Sequence, residues 1–351
     1  MEDLSLMAKR LEEVDAHDGL FLLSHCLAIP RMTYILRSAP CFRKLDILAQ
    51  YNDIIRSSLE SILNAPLDDE AWSQGSLPVS WSGVGIRKAA EVSVPAFLAS
   101  AFGAEAGMKN LLPSAIFEQI YEEATEAELS WRTELNNNDL QPQNKTVQAC
   151  WDAPLIESRF KTLLINKDTP VEKARLLALA SHQASTWLTA IPISSLGLKL
   201  DNNTLRVAIC LRLGTKICEP HTCICGQLVD PLGRHGLSCR LACGTHSRHK
   251  RVNDILRRSI ASSGTPAMVE PRGLMDDDKR PAGLTLYPWS GGKSVCWDFT
   301  CRDSLCQSHV SGTSKEAGNA AKQAESLKLR HYEELTQNFT VIPVATETMV
   351  S

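Results

Sequence analysis

The segment "HTCICGQLVDPLGRHGLSC" limits what this chain can fold into more than any other stretch. It holds Cys223-x-Cys225, then His235, then Cys239 after three further residues. A segment this short has no sizeable apolar core of its own. Three thiolates and an imidazole at such spacing can close a tetrahedral Zn²⁺ site. Gly226, Pro231, Gly233 and Gly236 supply the tight turns a small knuckle needs. A bound metal would then contribute much of the local folding free energy, on the order of 10 kcal/mol. With every position filled by protein, such a site is structural rather than catalytic. Cys-x-Cys is tighter than the usual two-residue gap, so Cys218, His221, Cys243, His246 and His249 stand by as alternative ligands. The plainer reading is a set of buried thiols without metal.

Of the 12 cysteines, Cys210, Cys218, Cys223, Cys225, Cys239 and Cys243 fall in or close to this region, with a looser group at Cys296, Cys301 and Cys306. Clustering of this kind suits metal binding or buried thiols better than disulfides. The opening "MEDLSLMAKRLEE" is acidic and amphipathic, unlike a signal peptide, and the run "LFLL" is far too short to span a bilayer. An intracellular protein, nuclear or cytoplasmic, is expected.

The net charge of −3 hides an asymmetry. Residues 1–140 carry 11 Lys+Arg against 21 Asp+Glu, whereas residues 204–262 carry 10 against 3. The basic excess follows the cysteine-histidine segment as Arg240, Arg248, Lys250, Arg251, Arg257 and Arg258. These residues are candidates for phosphate contact, which makes DNA or RNA the expected partner. They carry no evident base-reading code. A solvated surface is the alternative.

The overall class expected is α+β. Residues 1–215 read as mostly helical. In "LDILAQYNDIIRSSLESIL" the residues Ile47, Leu48, Tyr51, Ile54, Ile55, Leu59, Ile62 and Leu63 form a helical stripe. Further helices are expected over 118–135 and 147–164, with the polar stretch 136–145 as a linker. Thr169, Pro170 and Glu172 make a helix start, and that helix is expected to run to about Ala190. A knuckle over 216–245 is followed by an α/β module over 246–351. There "VNDILRRSIASSG" reads as a helix with Val252, Ile255, Leu256 and Ile260 on one side. "PAMVEP", "GLTLYPW", "KSVCWDFTC" and "FTVIPVAT" read as strands, with a long helix before the last.

Asp298 lies between Trp297 and Phe299 on the third of these strands. A carboxylate on a half-buried strand needs a cation or donors to offset its lost hydration. Lys293, Lys322 and Lys328 are the cations considered, and a nearby backbone N–H is the alternative. Nucleases that use Mg²⁺ pair two acids on neighbouring strands with a lysine. The position that would supply the other acid is Ala282. Glu270 and Asp276–Asp278 are nearby acids, and Asp254 either approaches this centre or pairs with its basic neighbours.

The ordered set of the knuckle, "RHKRVND", "KRPAG", "WDFTC" and "AESLKLRHY" resembles the C-terminal region of non-LTR retrotransposon polyproteins that carry a restriction-like endonuclease. The resemblance implies zinc held by Cys223, Cys225, His235 and Cys239. It implies a nuclease centre with Asp298 as an acid and Lys328 and Tyr332 as its helical pair. Arg280-Pro281 match the family's Arg/Lys-Pro-Asp motif, but Ala282 replaces its aspartate, and Thr300 stands where a lysine is often found. Upstream, "SLPVSWSGVGIRKAAEVSVPAFLAS" looks like the segment after a reverse transcriptase palm. Asp68-Asp69 do not fit the palm's own acidic motif, so a reverse transcriptase would be a separate partner. The implied module is degenerate and truncated, and the implied function is nucleic-acid binding. An active Mg²⁺-dependent endonuclease and a remnant without function are the alternatives.

Overall fold

The stripe Leu48, Tyr51, Ile55, Leu59, Ile62 and Leu63 is buried along one side of a single long helix in the computed structural model. The structure describes residues 2–182, 184–239, 241, 244–275, 280–289 and 291–349. The fold is α+β, and the chain divides into two compact units. One comprises Met1–Asp168 with Ser185–Ile217, the other Thr169–Ala184 with Cys218–Ser351.

The N-terminal unit is helical: α1 (Glu2–Arg10), α2 (Ala16–Leu22), α3 (Ile29–Ser38), α4 (Leu45–Leu63), α5 (Asp69–Gly75), α6 (Ala89–Leu111), α7 (Ser114–Glu134) and α8 (Gln148–Ile165). The chain then contributes α9 (Pro170–Leu179) to the other unit and returns for α10 (Asn202–Leu213). Caps fix several boundaries. Asn64 closes α4 in the left-handed region at φ 51°, Asp68 accepts from the Ala71 N–H at 2.7 Å to open α5, and Gly214 closes α10 at φ 69°. Asn52 reaches from α4 to accept the Ala89 N–H at the start of α6, 2.7 Å away.

Four sequence expectations change here. Ile47 is exposed, because the stripe is narrower than its apolar residues. The 136–145 stretch is no domain linker. Trp131 and Trp151 on either side of it pack edge to face, and the Trp131 indole N–H donates to the Trp151 carbonyl at 2.7 Å. The helix opened by Thr169 and Pro170 stops at Leu179 rather than Ala190. The run Ala16–Ser38, which contains an 18-residue window of mean hydropathy 1.4, is by length and composition long and apolar enough to cross a membrane, which "LFLL" alone did not suggest. Leu20, Leu23, Leu27 and Leu36 on that run are buried in the core of the N-terminal unit.

The C-terminal unit joins a small hairpin to a mixed sheet. The hairpin is β1 (His221–Thr222) with β2 (Leu228–Val229), followed by the one-turn α11 (His235–Ser238). Next come α12 (Gly244–Ser262), β3 (Ala267–Val269), β4 (Gly283–Thr285), β5 (Val295–Arg302), the one-turn α13 (Val310–Thr313), α14 (Asn319–His331) and β6 (Thr340–Glu347). The strand order is β3-β4-β5-β6. The first two pairings are antiparallel and β5–β6 is parallel, with α14 in the crossover. Ile255 on α12 is exposed, so Val252, Leu256 and Ile260 carry the packing on that helix.

Two contacts hold this unit's parts in place. Gly283 lies against the Trp297 indole so closely that an added Cβ would stand 1.9 Å from the ring. Glu347, 2% exposed, accepts the Ala320 and Ala321 N–H groups at 2.7 and 3.1 Å and so caps α14 from the end of β6.

Candidate functional site

β5 is buried on both faces, since Val295 through Phe299 are all buried. Asp298 is therefore more enclosed than a half-buried strand would make it, at 5% exposed. Its Oδ2 accepts from the Lys328 ammonium at 2.5 Å and from the Tyr332 hydroxyl at 2.7 Å. The Tyr332 hydroxyl also lies 3.0 Å from the Arg280 carbonyl. His249 Nε2 lies 3.7 Å from the other carboxylate oxygen, Oδ1. The structure thus brings Asp298, Lys328 and Tyr332 into one cluster and adds His249.

Helical spacing explains the pair from α14. Lys328 and Tyr332 are four residues apart, so they lie on one side of the helix and its end. Lys322, by contrast, pairs with Glu316, and Lys293 donates to the Thr336 carbonyl at 3.0 Å. Neither reaches Asp298. Burial first, and then the Asp298 carboxylate, push the Tyr332 phenol well above its ordinary pKa, so it remains a proton donor.

The sheet register decides where a second acid would have to be. Gly283 pairs with Trp297, and Val269 with Gly283. Continuing both antiparallel registers by one residue aligns Glu270, Ala282 and Asp298 in a row across three strands. The Glu270 N–H donates to the Ala282 carbonyl at 2.9 Å, which fits that continuation. Ala282 is buried beside Asp298 and brings no ligand atom. Glu270 is exposed, has φ 47° and lies 3.5 Å from Arg280. Thr300 shares the strand face of Asp298 by two-residue alternation, yet the ammonium beside the carboxylate comes from Lys328 on α14.

By its place in the sequence His249 is an alternative zinc ligand, and no local signal points to its neighbour Asp298. Asn253 is buried, and its side-chain nitrogen lies 3.2 Å from His249 Nδ1. Its Oδ1 has no hydrogen-bond partner.

The cysteine-histidine segment forms a second centre. The Sγ atoms of Cys223, Cys225 and Cys239 and a ring nitrogen of His235 all lie within 4.8 Å of one another. Cys223 and Cys239 are 3.7 Å apart, and Cys225 lies 3.1 Å from His235 Nε2. These atoms can hold a metal ion. Among the described residues this is the one such group of three or more. The turn through Gly226, at φ 85°, lets both members of Cys-x-Cys face inward, with the Cys223 N–H donating to the Gln227 carbonyl. The Cys225 amide N–H and the neighbouring ligand side chains hold the Cys223 thiol down, to about 6, while the Cys225 thiol beside it is raised, so the pair gives up its first proton readily and its second less so. Cys218 instead faces the Asp230 and Pro231 carbonyls, and His221 faces the Glu219 carbonyl. Arg234, beside His235, pairs with Glu172 on α9, and this contact helps explain why Thr169–Ala184 groups with the C-terminal unit.

The basic residues separate by environment. Arg240 lies outside the described residues, as do Cys243 and Asp276–Asp278. Lys250 and Arg251 are exposed on α12 without an ion-pair partner among the described residues. Arg248 is half-buried, and its Nε has no hydrogen-bond partner. Asp254 pairs with Arg257 at 2.9 Å and with Arg258 at 3.0 Å, so it serves its basic neighbours rather than Asp298.

The N-terminal unit contains a cavity of about 670 Å³ beside Glu91, Glu134 and Arg159. Its charges are paired: Arg159 with Glu91 and Glu134 within the lining, and Glu70 and Asp69 with Lys167 and Arg56 beside it. No protein-family model matches the chain, and no curated protein matches it.

Proposed function

We propose that this chain is a retrotransposon-derived nucleic-acid-binding protein whose restriction-like nuclease centre is degenerate. The observation that carries the reading is the closed state of Asp298. One oxygen already holds Lys328 and Tyr332, the other faces His249, and the register neighbour is Ala282. A catalytic divalent ion needs oxygen ligands from more than one side. A lone carboxylate already neutralised by a lysine is a poor base for one. The order α12–β3–β4–β5–α14–β6 supports the restriction-like assignment.

In the same reading the Cys223, Cys225, His235 and Cys239 group binds zinc. When bound, zinc cross-links β1–β2 to α11 and stabilises a segment that has little core of its own. Its role is to hold the start of α12, where Lys250 and Arg251 stand free for phosphate contact. DNA or RNA is the partner, and a separate reverse transcriptase would supply any polymerisation.

The alternative, an active Mg²⁺-dependent endonuclease, draws on one observation: Glu270 stands in the same row as Asp298 across Ala282. A plasmid-nicking assay in Mg²⁺ or Mn²⁺ separates the two, run beside a gel-shift titration at rising salt. The degenerate reading expects salt-sensitive binding and no nicking by the native chain, with nicking gained in Ala282→Asp. Nicking by the native chain that Asp298→Ala abolishes would overturn it. Absence of any binding would remove the nucleic-acid assignment itself.

A further inference from the structure

The hairpin between β4 and β5 exposes large rings that the core does not use. Tyr287 is 62% exposed and Trp289 52%. Single exposed apolar residues are common, but here two large aromatics stand exposed two residues apart on one connection. The base of the tip is well tied. The Leu286 N–H donates to the Pro266 carbonyl at 2.8 Å, and the Thr285 hydroxyl donates to the Tyr287 carbonyl at 3.0 Å. The same hydroxyl accepts from the Val295 N–H at 2.8 Å, and the Trp289 N–H donates to the Lys293 carbonyl at 2.9 Å. The rings are thus presented on a held backbone, which lowers the entropic cost of using them.

The position of the tip matters as much as its exposure. The pairing of Ala267 with Thr285 and the contact to Pro266 put it at the end of the sheet where α12 ends. His249, in the first half of α12, lies at Asp298. From His249 to Ser262 the helix extends ~20 Å at its usual rise. Lys250 and Arg251 lie on that length without an ion-pair partner among the described residues, and Arg257 and Arg258 follow them, sharing the single carboxylate of Asp254. A helix carrying cations that ends at the same end of the sheet as exposed aromatics offers the chemistry that binds an unpaired nucleic-acid strand, with phosphates on the cations and bases on the rings.

We infer that Tyr287 and Trp289 form a stacking platform for unpaired bases of a strand whose phosphates follow α12. This rests on the nucleic-acid reading above and adds the class of substrate, a single strand or a junction rather than a closed duplex. Charge complementarity commits the patch to this occupant rather than to an apolar protein face.

The test is a fluorescence titration of the full chain with a short single-stranded oligonucleotide and with a blunt duplex of the same sequence. It is repeated for Trp289→Phe, Tyr287→Ala/Trp289→Ala and Lys250→Ala/Arg251→Ala, each first shown by circular dichroism and thermal melting to fold as the native chain does. Quenching by the single strand is expected in the native protein and is expected to shrink in Trp289→Phe, which accounts for the remaining tryptophans. The double aromatic variant is expected to lose roughly ten- to hundredfold in affinity for the single strand and little for the duplex. The double cation variant is expected to weaken both. If the aromatic variant binds the single strand as tightly as the native chain, the platform is wrong while the nucleic-acid reading stands. Equal losses for strand and duplex also overturn the platform. If the native chain binds neither, both inferences fall.

Discussion

The Lys328 ammonium lies 2.5 Å from Oδ2 of Asp298, on a carboxylate that is 5% exposed. The Tyr332 hydroxyl completes the contact on the same oxygen. Removing one partner of a buried pair strands the other charge. Lys328→Met is therefore expected to destabilise the C-terminal unit by about 2 kcal/mol. That is below the usual cost of breaking a fully buried pair because the lysine side chain is 28% exposed. Adding Asp298→Asn to Lys328→Met is expected to recover much of the loss. Urea unfolding of the two single variants and the double variant gives the coupling, and an additive double variant would contradict it.

Tyr332 supplies a pH dependence. Its folded pKa is raised, first by burial and then by the Asp298 carboxylate. Tyr51 in the N-terminal unit is also raised, to about 12, by burial. An unfolded tyrosine titrates near pH ~10. The unfolded chain therefore loses these protons first as pH rises. The stabilising contribution is fully present below pH ~10 and is lost progressively above it. For Tyr51 the loss is complete at about pH 12. Unfolding free energies measured between pH 8 and roughly 11 are expected to fall more steeply in the native chain than in Tyr332→Phe or Tyr51→Phe.

The metal-type cluster predicts a difference between neighbouring cysteines. The native chain is expected to carry about one equivalent of zinc by elemental analysis. Cys223→Ser and Cys239→Ser are expected to lose it. Cys218→Ser is expected to keep it, because Cys218 faces the Asp230 and Pro231 carbonyls instead of the other thiols. Chelation is expected to increase proteolysis around 216–245. Retention of the metal by Cys239→Ser would displace the assigned ligand set.

Gly283 meets the Trp297 indole where a Cβ would stand. Gly283→Ala is expected to cost ~1–3 kcal/mol by overpacking, although alanine has the better intrinsic backbone entropy. Trp297→Leu in the same chain would make room and is expected to reduce the penalty of the alanine. Thermal melting of the cycle measures this.

Local signals account for the parts of the fold that could be read early. The stripe on α4 and the Thr169–Pro170 start of α9 each act within a few residues. The ligand spacing from Cys223 to Cys239 is of the same kind: the turns between the ligands permit their convergence, whatever the rest of the chain does. The end of α9 is not marked locally, because residues 180–186 hold neither glycine nor proline to break a helix. The chain turns where Trp187 and Leu188 pack against the core of the N-terminal unit. The end of the 136–145 stretch as a boundary has a similar cause. Polar composition does not reveal that Trp131 and Trp151, on either side, share one core.

By itself the sequence determined the helical stripe of α4, the start of α9, the tight turns between Cys223 and Cys239 and the set of groups able to bind a metal, because each depends on residues close along the chain. Only the tertiary structure decided which charge meets which. Lys328 rather than Lys322 or Lys293 reaches Asp298, Asp254 is taken up by Arg257 and Arg258, and His249 leaves the cysteines for the strand. The physical reason is reach. A side chain spans only a few ångströms, so its partner is set by which strand and helix lie beside it, and that follows from sheet register and crossover rather than from separation in sequence.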